Sequence, residues 1–400
     1  MGASQALYII LSCTEPPEIF NCPRQSSALQ LGRMSSIILE TPTVASVETH
    51  TMGNSLFEYL RMKVHPEIQQ REWKRIIVLG GHVRTGGTQI SAIEKNDKPF
   101  NWQRPTAKVV DVDTIHLFCF PGIDYVKHYA AILATYLSLN EKDPKVVSYE
   151  VPSSAESMRP LLQSNLQELG RIEIAVLGYV QGLPLFTSAS WTGGEDELFS
   201  WQIGNLPNGG RVAFIGCRVS FWGDIAGNVV RALQQLSQVK CVLYVGKLGT
   251  LRPELSPNTL LATGNSSFVH GELLTWQNPL EPFFRASPTI RHGRHYTLPS
   301  VLDETKDWLA ERSGDTDWVD PEIGHMAKAS LDGNTKFGFL HIISDNLARK
   351  YKHDLSSERV EEVLQNRENI VGEIQRVLQE LFEAGRFAQN RLGIAIVYSD

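Results

Sequence analysis

The sequence predicts an α/β protein built on a mostly parallel, mixed sheet flanked by helices. From about residue 75 onward, short apolar runs of strand length alternate with segments of helical period. Several of those runs close on Gly, as Arg75-Ile-Ile-Val-Leu-Gly80 and Ile172-Glu-Ile-Ala-Val-Leu-Gly178 do, which marks buried strands ending in tight turns. The chain has 400 residues of which 42% are hydrophobic, enough for sizeable cores and too many for a disordered protein.

Residues 1–70 form a poorly patterned segment rich in Ser, Thr and Pro, relieved by a short helix at Ser55 to Val64. Residues 71–168 read as an N-terminal α/β region. Its strands are Arg75 to Leu79, Ile115 to Phe120 and Lys145 to Tyr149, and its helices Asp124 to Leu139 and Ala155 to Leu169. Residues 169–400 continue the alternation. Strands are expected at Ile172 to Leu177, Arg211 to Ile215, Cys241 to Val245 and Phe337 to Ile343; helices at Ile225 to Leu236, Val301 to Arg312, Pro321 to Leu331 and Ser357 to Ala384. An apolar stretch, Gly393 to Tyr398, closes the chain. The likeness of the two Gly-ended strands fits two ordinary buried strands better than an internal repeat.

Composition narrows the function. The formal charge is −6, with 38 basic residues scattered among 44 acidic ones, so neither nucleic acid nor an anionic membrane is an expected partner. Five cysteines, Cys13, Cys22, Cys119, Cys217 and Cys241, are widely spaced without metal-ligand pairing and read as reduced thiols. The apolar run Ala6 to Leu11 is too short to span a bilayer and has no basic residue before it, and Ala6 stands where a myristoylation signal wants Ser or Thr. A cytoplasmic protein is expected. His82, His128, His270 and His325 lack ligand spacing, so no metal is expected.

The loop Gly81-His-Val-Arg-Thr-Gly86-Gly87-Thr88 approaches a Walker loop but has Gly87 where the lysine belongs, which removes the charge that ATP chemistry needs. Arg84 and the glycine amides leave anion binding open beside a plain turn. No Gly-x-Gly-x-x-Gly, Gly-x-Ser-x-Gly or His-Glu-x-x-His occurs.

Four segments carry a resemblance. Arg211-Val-Ala-Phe-Ile-Gly216-Cys-Arg218-Val-Ser220 precedes a helix, and Val242-Leu-Tyr-Val-Gly246-Lys-Leu-Gly249-Thr250 is followed by Leu and Pro-Glu. Trp318-Val-Asp-Pro-Glu322-Ile-Gly-His-Met326 and His341-Ile-Ile-Ser344-Asp345 come later. In this order they resemble the nucleoside phosphorylase superfamily, of the purine and uridine phosphorylase kind, over the C-terminal ~230 residues. The resemblance implies a pentosyltransferase that cleaves the N-glycosidic bond of a purine nucleoside or related compound, with inorganic phosphate as co-substrate and no cofactor. It also implies a homo-oligomer.

Residue by residue, the resemblance gives phosphate to Arg218, Ser220, Gly246, Gly249 and Thr250, and the nucleoside to Glu322, Met326, Ser344 and Asp345, with Glu322 and Asp345 catalytic. The chemistry suits these types. Cleavage passes through a sugar of oxocarbenium character, an Arg pairs bidentately with phosphate, a carboxylate accepts two vicinal hydroxyls, and an acid protonates or hydrogen-bonds the leaving base. Each residue has a plainer alternative: Arg218 a salt bridge, Glu322 the start of a helix behind Pro321, Asp345 a loop cap, Met326 the core. The run Arg291 to Tyr296 reads as a solvated connection. Lys247 and Pro321 stand where the family has a small residue and Met, which favours water or another acceptor in a hydrolase or specialised biosynthetic enzyme. A ligand-binding or storage protein is the non-catalytic alternative.

Overall fold

A computed structural model describes residues 39–81, 84, 86–91, 103–183, 190–218, 220–284, 287–353 and 360–384. The first thirty-odd residues, the final apolar stretch, and much of the Walker-like loop therefore lie outside the described residues.

The architecture is mixed α/β, with sheets flanked by helices and an additional α/β region before the larger sheet. That first region contains α1 (Ser55–Arg61), α2 (Pro66–Gln70), β1 (Arg75–Gly80), β2 (Thr106–Val109), β3 (Thr114–Cys119), α3 (Ile123–Leu139), β4 (Val147–Glu150) and α4 (Ser154–Leu162). Its four strands are ordered β2-β3-β1-β4, with β1 parallel to both β3 and β4. The expected helix to Leu169 ends early. Pro160 removes one amide donor, and the Ser164 hydroxyl satisfies the Leu161 carbonyl and meets the Leu166 amide, leaving only a 3-10 turn at Asn165–Glu168.

The larger sheet begins with β5 (Ile174–Gly178), β6 (Phe199–Asn205) and β7 (Arg211–Cys217), followed by α5 (Asp224–Ser237) and the long β8 (Cys241–Thr250). β9 (Leu261–Thr263), β10 (Ser266–Val269), β11 (Glu272–Thr275), α6 (Glu281–Phe284), β12 (Ile290–His292), β13 (His295–Thr297) and α7 (Lys306–Arg312) come next. β14 (Trp318–Asp320), α8 (Ile323–Asp332), β15 (Lys336–Asn346) and α9 (Glu361–Glu383) complete it.

Strands β5, β7, β8 and β15 run parallel, so their carboxyl ends share one edge. β6 was not legible as a strand; it hydrogen-bonds antiparallel to β7 with Phe199 and Trp201 buried. β8 does not turn at Gly246 as the Gly-x-x-Gly reading expects. It stays extended to Thr250 because β15 pairs with it along its whole length.

The other side of β8 is forked. β5 pairs with it from Cys241 to Val245, and β14 joins, antiparallel, only at Gly249. The fork at Gly246–Leu248 is where the sheet divides, and the connections that carry the carboxylates gather around it.

Packing follows the patterning. Ile370, Ile374, Val377, Leu378 and Leu381 form one stripe of α9 and bury it against Ile174, Val176, Phe214 and Leu340 on one face of the sheet. On the other face α5 buries Ile225, Ala226, Val229, Val230 and Leu233 and packs against α8 and α3. Each fully buried Ile, Leu or Val contributes about 1.5–3 kcal/mol relative to exposure. Helix α3 thus joins the small sheet to the large one. Cys119, Cys217 and Cys241 are buried thiols, and burial raises the Cys241 thiol to about 12.

Candidate functional site

The site is built at the fork of β8. Strand β14 ends in Asp320, the chain turns through Pro321, and α8 begins at Ile323. Asp320 Oδ1 accepts from the amides of Glu322 and Ile323, at 2.8 Å each, and so caps the helix. The cap matters because it relieves Glu322 of that task. Its carboxyl, almost wholly buried, instead faces the Gly223 amide at the start of α5 and the Tyr244 hydroxyl on β8, both of which favour its charged form. Burial, and then the negative charge of Asp320, push the Glu322 carboxyl well above the usual carboxylate range.

Two buried histidines flank Asp320. His295 Nε2 lies 3.1 Å from its Oδ1 and His341 Nε2 lies 3.6 Å from Oδ2. Burial works to raise the Asp320 carboxyl, but His295, His341 and the Ile323 amide outweigh it and hold it low. Burial lowers His341 to about 4. Ser267 Oγ stands 2.8 Å from His295 Nδ1, the order of a Ser-His-Asp chain. Ser267 and His295 are completely buried, however, and Ser267 Oγ is also 2.9 Å from Thr297 Oγ1, so this chain anchors Asp320.

The expected phosphate residues are engaged with protein. Arg218 stands just past β7 and donates through Nη2 to Ser200 Oγ at 2.6 Å and the Gly193 carbonyl at 3.4 Å. Ser220 Oγ lies 2.8 Å from the Tyr125 hydroxyl and 3.2 Å from the Gln103 carbonyl, both supplied by the N-terminal region. Thr250 is buried, donates to the Asp317 carbonyl and accepts from the Arg252 amide, each at 3.1 Å. Gly246 has a packing reason for its identity: a Cβ there would sit 2.7 Å from His341 Nε2. At Gly249 a Cβ would meet Leu347 Cδ1 at 2.6 Å and Val319 Cγ1 at 3.1 Å, with Asp345 Oδ2 next at 3.2 Å, so this glycine too has a packing reason.

The nucleoside residues divide. A bulge in β15 lets Asp345 pair with Gly249 while Ser344 is the extra residue, and bulges of this kind re-aim side chains. Asp345 is half-buried, with Ser344 Oγ 2.8 Å from its Oδ1 and 3.2 Å from the Leu248 carbonyl. Met326 is fully buried in the core of α8. Glu322, in the connection between β14 and α8, and Asp345, near the end of β15, therefore both lie beside β8, whereas Arg218 lies beyond β7.

Sequence reading missed Asp320, His295, His341 and Tyr244. Asp320, three residues before the first helical position and just ahead of Pro321, was a legible capping signal; the others come together only through strand pairing. It also missed Asp124. This first-turn residue of α3 has Oδ2 2.8 Å from His325 Nε2, on α8 one turn past Glu322. Among the described residues no cluster of acids, histidines and cysteines is arranged to hold a metal ion, and no helix is long and apolar enough to cross a membrane.

No family model matches the chain. It is 26% identical over 345 residues to the curated protein oxidoreductase cns1 of Cordyceps militaris, an alignment covering 73% of this chain and 41% of that protein. The chain thus spans about two fifths of that relative's length. Among solved structures it is similar to a 5′-methylthioadenosine/S-adenosylhomocysteine nucleosidase of Campylobacter jejuni, at 14% identity and a TM-score of 0.43, over 53% of this chain and 99% of the other. It is also similar to the 5′-methylthioadenosine nucleosidase of Arabidopsis thaliana, at 15% identity and a TM-score of 0.42, over 55% and 98%. A third is the futalosine hydrolase of Helicobacter pylori, at 10% identity and a TM-score of 0.41, over 52% and 99%.

Proposed function

We propose that this protein cleaves the N-glycosidic bond of a nucleoside-like compound at the fork of β8, with water as acceptor. The observation that carries this reading is the buried Glu322 carboxyl, relieved of helix capping by Asp320, which takes the amides of Glu322 and Ile323. A carboxyl kept protonated by burial can donate to one sugar hydroxyl and accept from its neighbour. Asp345, raised on its bulge beside Gly249, is the group for the leaving base. As the bond breaks, its electron pair goes to the base nitrogen, Asp345 hydrogen-bonds or protonates the base, and water adds at C1′ with loss of a proton.

Water is preferred to phosphate because Arg218, Ser220 and Thr250 all spend polar groups on protein partners. A phosphorolytic reading stays second, favoured by the position of Arg218 at the carboxyl end of a parallel strand, where α/β proteins bind ligands. The test is incubation of the protein with a panel of nucleosides, with and without phosphate, and chromatography of the products. Base and free sugar formed without phosphate support hydrolysis; sugar 1-phosphate formed only with phosphate supports the second reading; no base release from any nucleoside overturns both.

A further inference from the structure

The N-terminal α/β region reaches the fork through one side chain. Helices α3 and α5 cap each other: Asp224 accepts from the amides of Ile123 and Asp124, both at 3.0 Å, and Asp124 Oδ2 accepts from the Asp224 amide at 3.1 Å. The same Asp124 oxygen lies 2.8 Å from His325 Nε2 on α8. Asp124 is 6% exposed, and it backs Gly223 so closely that a Cβ on that glycine would come within 2.6 Å of its own Cβ. Gly223, with φ of +56°, is the residue whose amide holds Glu322. Three helix starts, from both parts of the chain, are therefore tied through a single carboxylate.

We propose that Asp124 is a positioning residue: from α3 it fixes Gly223 at the start of α5 and His325 in the first turn of α8, the helix that Glu322 opens, which makes the N-terminal α/β region part of the substrate site. The inference rests on the proposed role of Glu322 for its consequence in turnover, and on the ties of Asp124 to α5 and α8 for the placement of that carboxyl. The groups around Glu322 are Asp320 before α8, Tyr244 from β8 and Asp124 from α3; His325 and Asp224 face Asp124, and His295 and His341 face Asp320. The negative charge of Asp124 adds to the forces that keep Glu322 protonated. The uncharged isostere removes that charge while keeping the shape of Asp124, so the Glu322 titration reads whether the two carboxyls are held close, and base release reads whether that placement serves the substrate.

The experiment uses the full chain labelled with carboxyl-13C glutamate, with the Glu322 signal assigned by its loss in Glu322→Gln. In Asp124→Asn, whose amide oxygen still accepts from Asp224, the Glu322 titration midpoint is expected to fall by about one pH unit, the usual effect of removing a nearby like charge. An unmoved midpoint in a folded variant overturns the proposal. If Asp124→Asn does not fold, Asp224→Asn carries the test, because it weakens the hold on the first turn of α3; an unmoved midpoint there is equally decisive. Base release is measured in parallel, with kcat/KM expected to drop about tenfold, mainly through KM. A shifted midpoint in a protein that releases no base would sink the glycosidic reading and leave the positioning role standing.

Discussion

Replacing Glu322 by Gln separates what this carboxyl does for the fold from what it does for substrate. Its pKa is raised by burial and by Asp320, so it differs from the usual stabilising carboxylate. Below the ordinary glutamate pKa both folded and unfolded chains hold the proton, and no penalty arises. As pH rises above it, the unfolded chain releases that proton while the folded one keeps it. Stability then falls with pH, by about 1.4 kcal/mol for each unit crossed, until the raised native pKa is passed. Glutamine cannot titrate, yet its amide oxygen still accepts from Tyr244 and Gly223. The variant should therefore match the wild type near pH 4.5 and gain on it by about that slope as pH rises. Urea unfolding of both proteins between pH 4.5 and pH 8 reads the difference directly. In the same variant kcat/KM for base release should fall roughly ten- to a hundredfold, because the amide replaces the carboxyl that meets the sugar. Parallel stability curves would refute the buried, protonated carboxyl, whatever the activity does.

Other consequences are as definite. Asp345→Asn should lower kcat for base release by about a hundredfold or more, the usual scale of general-acid assistance; turnover close to wild type would remove Asp345 from the chemistry. Gly246→Ala should cost about 1–3 kcal/mol in urea unfolding, because its Cβ would stand 2.7 Å from His341 Nε2 in a closed core; a cost under 0.5 kcal/mol would contradict that contact. His128, stacked on Trp222 with ring centroids 4.2 Å apart, is lowered by burial to about 3, and His341 by burial to about 4. Below the ordinary histidine pKa the unfolded chain takes up protons that these rings refuse, so stability should drop as pH falls from 6.5 toward 4, by about 1.4 kcal/mol per unit for each ring. His128→Phe should show a shallower loss over that window, and an equal slope would exclude His128 as a source.

Local pattern made much of the fold readable. The run Ile174 to Leu177 is apolar throughout because both its faces are covered, and the apolar stripe of α9 repeats at helical spacing because only one face meets the sheet. Such regularities are set by neighbours along the chain, so they survive in one dimension. The α/β class and the order of the main strands and helices came from that information, whereas Glu322 and Asp345 entered as candidates through the resemblance. β6 escaped notice because its polar alternate residues resemble a loop until β7 supplies its partner.

The tertiary structure alone decided what each polar group is free to do. Gly246 and Gly249 look like turn glycines in sequence, yet they lie in an extended strand where His341 and Leu347 take the space a side chain would need. Glu322 behind Pro321 reads equally as helix cap and as ligand, and in the fold it is Asp320 that takes the amides. Asp124 lies some two hundred residues from Glu322 in sequence and meets its surroundings only because α3 and α5 cap each other across the two sheets. Hydrogen bonds and burial between distant segments depend on strand pairing and helix docking, which no spacing within one segment encodes.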